Sequence, residues 1–211
     1  MKNFIWIGGI IIILIALMFW GVKGTSGINP PFESGVIHPL DHVEGNASSS
    51  VVIVEYSDFQ CPACRTYYGV VKQLVVEFGG EAAFVYRYFP LTGIHINAEF
   101  AAQAAEAAGK QGKFWEMHDL LFEKQEEWAN VADIEPLFES YAALLDISVE
   151  QFKTDFMSKE VRDFVRAERT SALKLGLQGT PSFFINGKQI QNPSSTEAFR
   201  TIIKDAIGSQ R

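Results

Sequence analysis

The chain has 211 residues, 47% of them apolar and 20% charged, with a formal net charge of −7 and two cysteines. That length suits one globular domain with attached segments, and the apolar fraction excludes wholesale disorder. The acidic balance excludes a nucleic-acid binder built on a basic surface, and two cysteines supply neither a disulfide-stapled miniprotein nor a four-thiolate zinc site.

Phe4 to Val22 carries no charged side chain and lies between Lys2 and Lys23. A helix needs about 20 apolar residues to cross the hydrocarbon layer, and Trp6 and Trp20 stand where aromatic rings favour the headgroup zone. A cleaved signal peptide has an apolar region of about 7–15 residues followed by a small-x-small site. Here the run is longer, and Gly24-Thr25-Ser26-Gly27 imitates such a site poorly. Residues 1–23 are therefore read as an uncleaved membrane anchor, a signal-anchor. The expected product is a single-pass cell-membrane protein with its larger part on the extracytoplasmic side. Residues 24–50, rich in Gly, Pro, Ser and Asn, read as a linker with a short ordered piece near Val36 to Val43.

Residues 51–211 are long enough to bury a proper core. Val51 to Tyr56 is a β-branched run expected to form a buried strand. Tyr67, Val70, Val71, Leu74, Val75 and Phe78 then recur at helical spacing up to Gly79-Gly80, and Ala82 to Phe89 reads as a second strand stopped by Pro90. This order is a βαβ unit with parallel strands. From about 97 to 175 the pattern is helical: Ala98 to Ala108, Phe114 to Glu127, Ile134 to Leu145, and Val149 to Leu173 with a break near Ser158. Asn186-Gly187 between Ser182–Ile185 and Lys188–Ile190 is a strong hairpin signal. A last helix spans Thr196 to Ile207, with Ser194-Ser195-Thr196-Glu197 as its capping box. The fold class is α/β: a sheet with helices on its faces and a helical block inserted between its halves.

The cysteines stand as Cys61-Pro62-Ala63-Cys64, directly after a strand and at the opening of a helix. Backbone N–H groups and the helix dipole stabilise a thiolate there, bringing such thiols to roughly 3.5–7 from about 8.5. Pro62 is tolerated because the first-turn N–H has no helical acceptor. Cys61, nearer the tip, is expected to attack and to leave, and Cys64 to resolve the mixed disulfide. Half a zinc site is the rival reading, but it needs two further ligands from His38, His42, His95 and His118, and the first two precede the domain, so no metal and no cofactor is expected. A structural disulfide over so short a loop would contribute little. A Cys–His hydrolase built on His118 would leave its nucleophile open to oxidation by the second cysteine.

Two further features point to the same place. Gly179-Thr180-Pro181 precedes a strand, where a proline leaves a gap in the ladder. A cis bond would set the ring and the Thr180 carbonyl against the sulfurs, whereas spacing alone equally admits an ordinary trans turn. Glu55 interrupts an apolar strand six residues before Cys61. It is either an exposed strand-end acid or a buried carboxylate able to relay a proton to Cys64.

The segments Asp41 to Asn46, VVIVEYSDFQCPAC, RYFPL, GKFWEMHDLLF and GTPSFFINGK, in this order, resemble the DsbA-like branch of the thioredoxin superfamily. The resemblance implies a thioredoxin-like fold with an inserted helical domain and thiol–disulfide exchange on exported proteins. It also implies a cis-proline at Pro181 and a buried acid at Glu55. Strong oxidases of that branch carry Pro-His between the cysteines, whereas Ala63 offers neither donor nor charge, so the helix terminus is expected to act alone on Cys61. Thr180 before the proline is more like isomerase and reductase relatives. The expected function is oxidation of client thiols; a disulfide isomerase or reductase, or a redox-inert tethered binding module, are the alternatives. Phe59, Pro62, Thr180 and Pro181 are expected to line a shallow client groove, and a membrane redox partner to recycle the pair.

Overall fold

In the computed structural model, residues 33–210 are described. The expected anchor over residues 1–23 lies outside them. Among the described residues no helix is long and apolar enough to cross a membrane.

Five strands form one sheet in the order β1-β3-β2-β4-β5. They are β1 (His42–Gly45), β2 (Val52–Ser57), β3 (Ala83–Tyr88), β4 (Ser182–Ile185) and β5 (Lys188–Gln189). Among the described residues only β2 and β3 pair in parallel, with Glu55 opposite Tyr86, and α1 (Pro62–Phe78) connects them as the βαβ spacing predicts. The other pairs are antiparallel. The β4–β5 hairpin turns on Asn186 and Gly187, both at positive φ (47° and 80°), the combination that a two-residue turn requires to follow strand twist.

Alternation along the central strands divides the core into two layers. Ile53, Phe84, Phe183 and Ile185 face Leu74 and Phe78 of α1, and Phe199 and Ile203 of α8 (Thr196–Gly208). Val52, Val54, Tyr56, Val85 and Phe184 face the other way, toward Ala172 of the helical block and Leu177 just after it. Leu74 is fully buried, and truncating such a leucine to alanine costs about 2–5 kcal/mol.

The helical block runs through α2 (Ala98–Gly109), α3 (Phe114–Glu123), α4 (Gln125–Trp128), α5 (Glu135–Leu144), α6 (Val149–Phe156) and α7 (Lys159–Lys174). The stretch expected as one helix over Phe114 to Glu127 breaks at Lys124 (φ −100°, ψ 16°). The break lets the Trp128 indole donate to the Leu121 carbonyl and turns Gln125 toward the cysteine loop. Ser158 caps α7 by accepting from the Val161 N–H, which explains the break expected there. At α8 the N-cap is Ser195, one residue later than the box at Ser194 implies, because its hydroxyl reaches the Ala198 N–H.

The folded unit begins before residue 51. Residues expected as linker supply β1, an edge strand paired with β3 from His42 to Gly45. Gly45 ends it at φ +81°, where a Cβ would stand 2.5 Å from the Ala82 carbonyl oxygen. Two contacts secure the segment. His42 stacks on Phe114 at 3.5 Å and meets Glu106 at 2.7 Å. Arg87, wholly buried, grips both Asp41 oxygens at 2.9 and 2.8 Å and also donates to the Glu33 and Val36 carbonyls. This polar clamp is invisible to hydrophobic periodicity, so the stretch reads as a tether.

Candidate active site

Cys61 is the N-cap residue of α1, in extended backbone geometry (φ −75°, ψ 122°), with Pro62 in the first turn. Its N–H donates to the Asp58 carbonyl at 3.0 Å, and its carbonyl accepts from Arg65 of the new helix and from the Gln125 amide. The Asp58 carboxylate in turn accepts from the Gln60 and Leu91 N–H groups and meets His95 at 2.7 Å. The loop that presents the sulfur is thus held from its own turn, from the helical block and from the segment after β3.

No disulfide joins Cys61 and Cys64 in this structure. Cys64 is completely buried and Cys61 is 8% exposed, so Cys61 is the sulfur a partner can reach. The Cys61 thiol is lowered to about 5. The largest cause is the hydrogen bond from the Cys64 thiol, and it prevails over burial together with Thr180 and the N–H groups of Cys64 and Ala63. The expectation that the helix terminus acts alone is thereby corrected: the neighbouring thiol contributes more than the backbone. Cys64 moves oppositely, well above an ordinary thiol, through burial and through its bond to Cys61. One sulfur is primed as a thiolate while the other keeps its proton.

The Thr180–Pro181 peptide bond is cis. The Cys61 thiol lies 3.5 Å from the Thr180 carbonyl oxygen, to which it donates. The Thr180 hydroxyl is buried without a protein partner in this dithiol form, at a position where it stabilises the Cys61 thiolate.

Glu55 is 8% exposed, on the same face of β2 as Ile53 and therefore under α1. Burial raises its carboxyl to about 7, with a further push from the Cys61 charge. The reading as an exposed strand-end acid is excluded by this burial. Ser57 on the same face stands where it favours the ionised forms of Glu55, Cys64 and Tyr86, although its hydroxyl closes no hydrogen bond in the dithiol form.

The expected groove residues separate into two groups. Pro62 is exposed and Thr180 partly so, on the surface beside Cys61. Phe59 is 1% exposed and packs against Tyr86 and Phe122, each at 5.0 Å, and Pro181 is buried as well. Phe59 therefore belongs to the aromatic core beneath the loop, which corrects its assignment to a client surface. Sequence reasoning missed Asp58, Ser57, Tyr86 and Gln125. Asp58 and Ser57 flank the motif, but Tyr86 and Gln125 reach the site only through strand register and the Lys124 break.

A parallel βαβ unit with a Cys-x-x-Cys pair at its helix tip and a cis-proline facing the sulfurs defines a thioredoxin-like protein. A family model described as Thioredoxin matches residues 38–205. The chain belongs to the thioredoxin family. It is 28% identical to a thioredoxin-like oxidoreductase from Silicibacter pomeroyi, with a TM-score of 0.68 over 85% of this chain and 97% of that one. The α-DsbA1 of Wolbachia pipientis shares the fold at 21% identity, with a TM-score of 0.71 over 82% of this chain and 94% of that one. Among curated proteins, the chain is 37% identical over 171 residues to Na(+)/H(+) antiporter NhaA 3 of Salinispora tropica, which covers 81% of this chain. It spans only 25% of that relative's length.

Proposed function

We propose that the protein is a thiol–disulfide oxidoreductase that exchanges disulfides with exported proteins through Cys61 and Cys64, in the direction of client oxidation. The observation that carries this reading is the placing of the sulfurs, Cys61 at the helix tip and 3.5 Å from the Thr180 carbonyl oxygen, Cys64 fully buried one turn inward. A client thiolate attacks Cys61 of the disulfide form, joining the client to Cys61 and releasing Cys64 as a thiolate that takes up a proton. A second client thiol, after losing its proton to solvent, attacks the client sulfur and expels the Cys61 thiolate. Stabilising that leaving thiolate favours the reduced enzyme and hence the oxidised client. Glu55, buried beside Cys64, serves as its proton donor and acceptor. Pro62 and Thr180 form the contact surface next to the exposed sulfur.

The apolar run over Phe4 to Val22 supports anchoring in the cell membrane with the catalytic domain outside the cytoplasm. A membrane redox partner would then reoxidise the pair, tethering raising its effective concentration. The antiporter name of the curated relatives belongs to proteins mostly outside the matched stretch, and transport forms no part of this proposal.

A Cys64→Ala variant of the full chain, expressed under oxidising conditions, is expected to accumulate client adducts through Cys61. Their absence would leave a redox-inert binding module as the better reading. The reduction potential of the pair separates the enzymatic alternatives, a value near −120 mV indicating an oxidase and one near −270 mV a reductase.

A further inference from the structure

The loop after β3 and the helices α2, α6 and α7 border a groove of about 350 Å³ on the helical block. Its apolar walls are Ile96, Phe100 and Met157, which remain 67%, 43% and 54% exposed. Ile96, Phe100 and Gln103 share one face of α2 and the turn leading into it, by their four- and three-residue spacing. The rise from Ile96 to Gln103 is about 10 Å, a span that an extended polypeptide crosses in roughly three residues.

Two polar groups in the groove lack partners. Gln103 is only 4% exposed, yet its side-chain amide makes no hydrogen bond among the described residues. A buried amide left unpaired is costly, and its adjacent C=O and NH2 match the N–H and C=O of a peptide backbone. Arg162 is half-buried, and among the described residues its guanidinium has no hydrogen bond and no ion pair. Its neighbour Asp163 is bonded to Lys159, and Arg166, one turn further, donates to Glu99 at 2.8 Å. The groove thus carries one uncompensated positive charge in a chain of net charge −7.

One end of the groove is tied to the cysteine loop. The Leu91 N–H and the His95 ring, from the loop that carries Ile96, both meet the Asp58 carboxylate, and the Asp58 carbonyl accepts from the Cys61 N–H. The Asn97 N–H, next to Ile96, donates to the Gln60 side chain at 2.7 Å. We propose that the groove holds an extended stretch of the client polypeptide, its backbone on Gln103, an apolar side chain on Phe100 and Met157, and a carboxylate on Arg162. The assignment rests on the exchange reaction proposed above, and it makes client cysteines flanked by apolar and acidic residues the preferred substrates. A lipid surface could use the apolar walls and Arg162, but it would leave the Gln103 amide unpaired, so a polypeptide fits better.

Magnetic-resonance titration of the full chain with short cysteine-free peptides tests this, one peptide holding a leucine and an aspartate, the other a leucine and a lysine. The Gln103 side-chain amide signal is identified by its loss in Gln103→Leu. The acidic peptide is expected to shift that signal and to bind more tightly than the basic one, and Arg162→Glu to invert the preference. Gln103→Leu keeps the volume, and the lost hydrogen bonds should weaken the acidic peptide about 3- to 10-fold. An unmoved Gln103 signal, or equal affinity for the two peptides, overturns the proposal in the unsubstituted protein, whatever the variants do. Phosphatidylglycerol vesicles that perturb Ile96 and Met157 where the peptides do not would assign the face to a membrane and overturn it as well. None of these readouts depends on exchange activity. Peptide binding without Cys61 adducts would sink the exchange reading and leave the groove standing, while adducts without peptide binding would sink only the groove.

Discussion

The Cys61 sulfur lies 3.5 Å from the carbonyl oxygen of Thr180, a residue 119 positions later in the chain. β2 leads into the cysteine loop, Thr180 stands two residues before β4, and the two strands are hydrogen-bonded neighbours from Ile53 to Tyr56. The helical block can therefore intervene in sequence without separating them. Thr180→Val keeps the carbonyl and removes the hydroxyl. One hydrogen bond to the thiolate is then lost, which should weaken its stabilisation roughly 2- to 10-fold. The pH dependence of Cys61 alkylation measures this directly, and an unchanged midpoint would remove Thr180 from the thiolate's support.

A larger change is expected from Cys64. Its thiol is the strongest single influence that lowers Cys61. In Cys64→Ala the alkylation midpoint should move up from about 5 toward roughly 7, leaving the helix N–H groups and Thr180 in place. Cys64→Ser, which retains a donor, should shift less. Equal midpoints in all three proteins would show that the backbone alone governs the thiolate.

Glu55 makes stability depend on pH with an unusual sign. Its carboxyl is raised to about 7 from an ordinary 4.5, so between those values the native state holds a proton that the unfolded chain has lost. Stability is thus greatest below about pH 4.5 for this group and falls as pH rises through 7, by about 3 kcal/mol in total. Urea titrations of Glu55→Gln should lack this slope. In the disulfide form the slope should be shallower, because the Cys61 charge that raises Glu55 is gone.

Asp41 and Arg87 are both fully buried as side chains. Asp41→Ala removes the carboxylate that the buried guanidinium grips through two hydrogen bonds and should cost about 3–5 kcal/mol in urea unfolding. Asp41→Asn, which keeps an acceptor, should lie between. A loss below about 1 kcal/mol in Asp41→Ala would mean that residues 33–45 are an appendage of the domain rather than part of it.

The periodicity of Tyr67 to Phe78, the β-branched run at Val51 and the Asn186-Gly187 turn were sufficient to lay out the βαβ unit, the hairpin and the bounds of the helical block. These signals are local, since each depends on residues a few positions apart that share a helix face or a turn. The Cys-Pro-Ala-Cys spacing placed both cysteines at one helix tip for the same reason, as both belong to one helical turn. What the chain could not disclose locally was anything requiring two distant segments. Arg87 turns a polar tether into an edge strand, Phe59 sinks into an aromatic core despite its place next to the motif, and Tyr86 and His118 join Glu55 around a cavity. Burial and ionisation depend on which groups tertiary packing brings within a few ångströms. The sequence by itself determined where the two sulfurs and the strand carboxyl stand along the chain; the assembled sheet and helices decided which of them are buried and what lies beside them, because burial depends on contacts between distant segments.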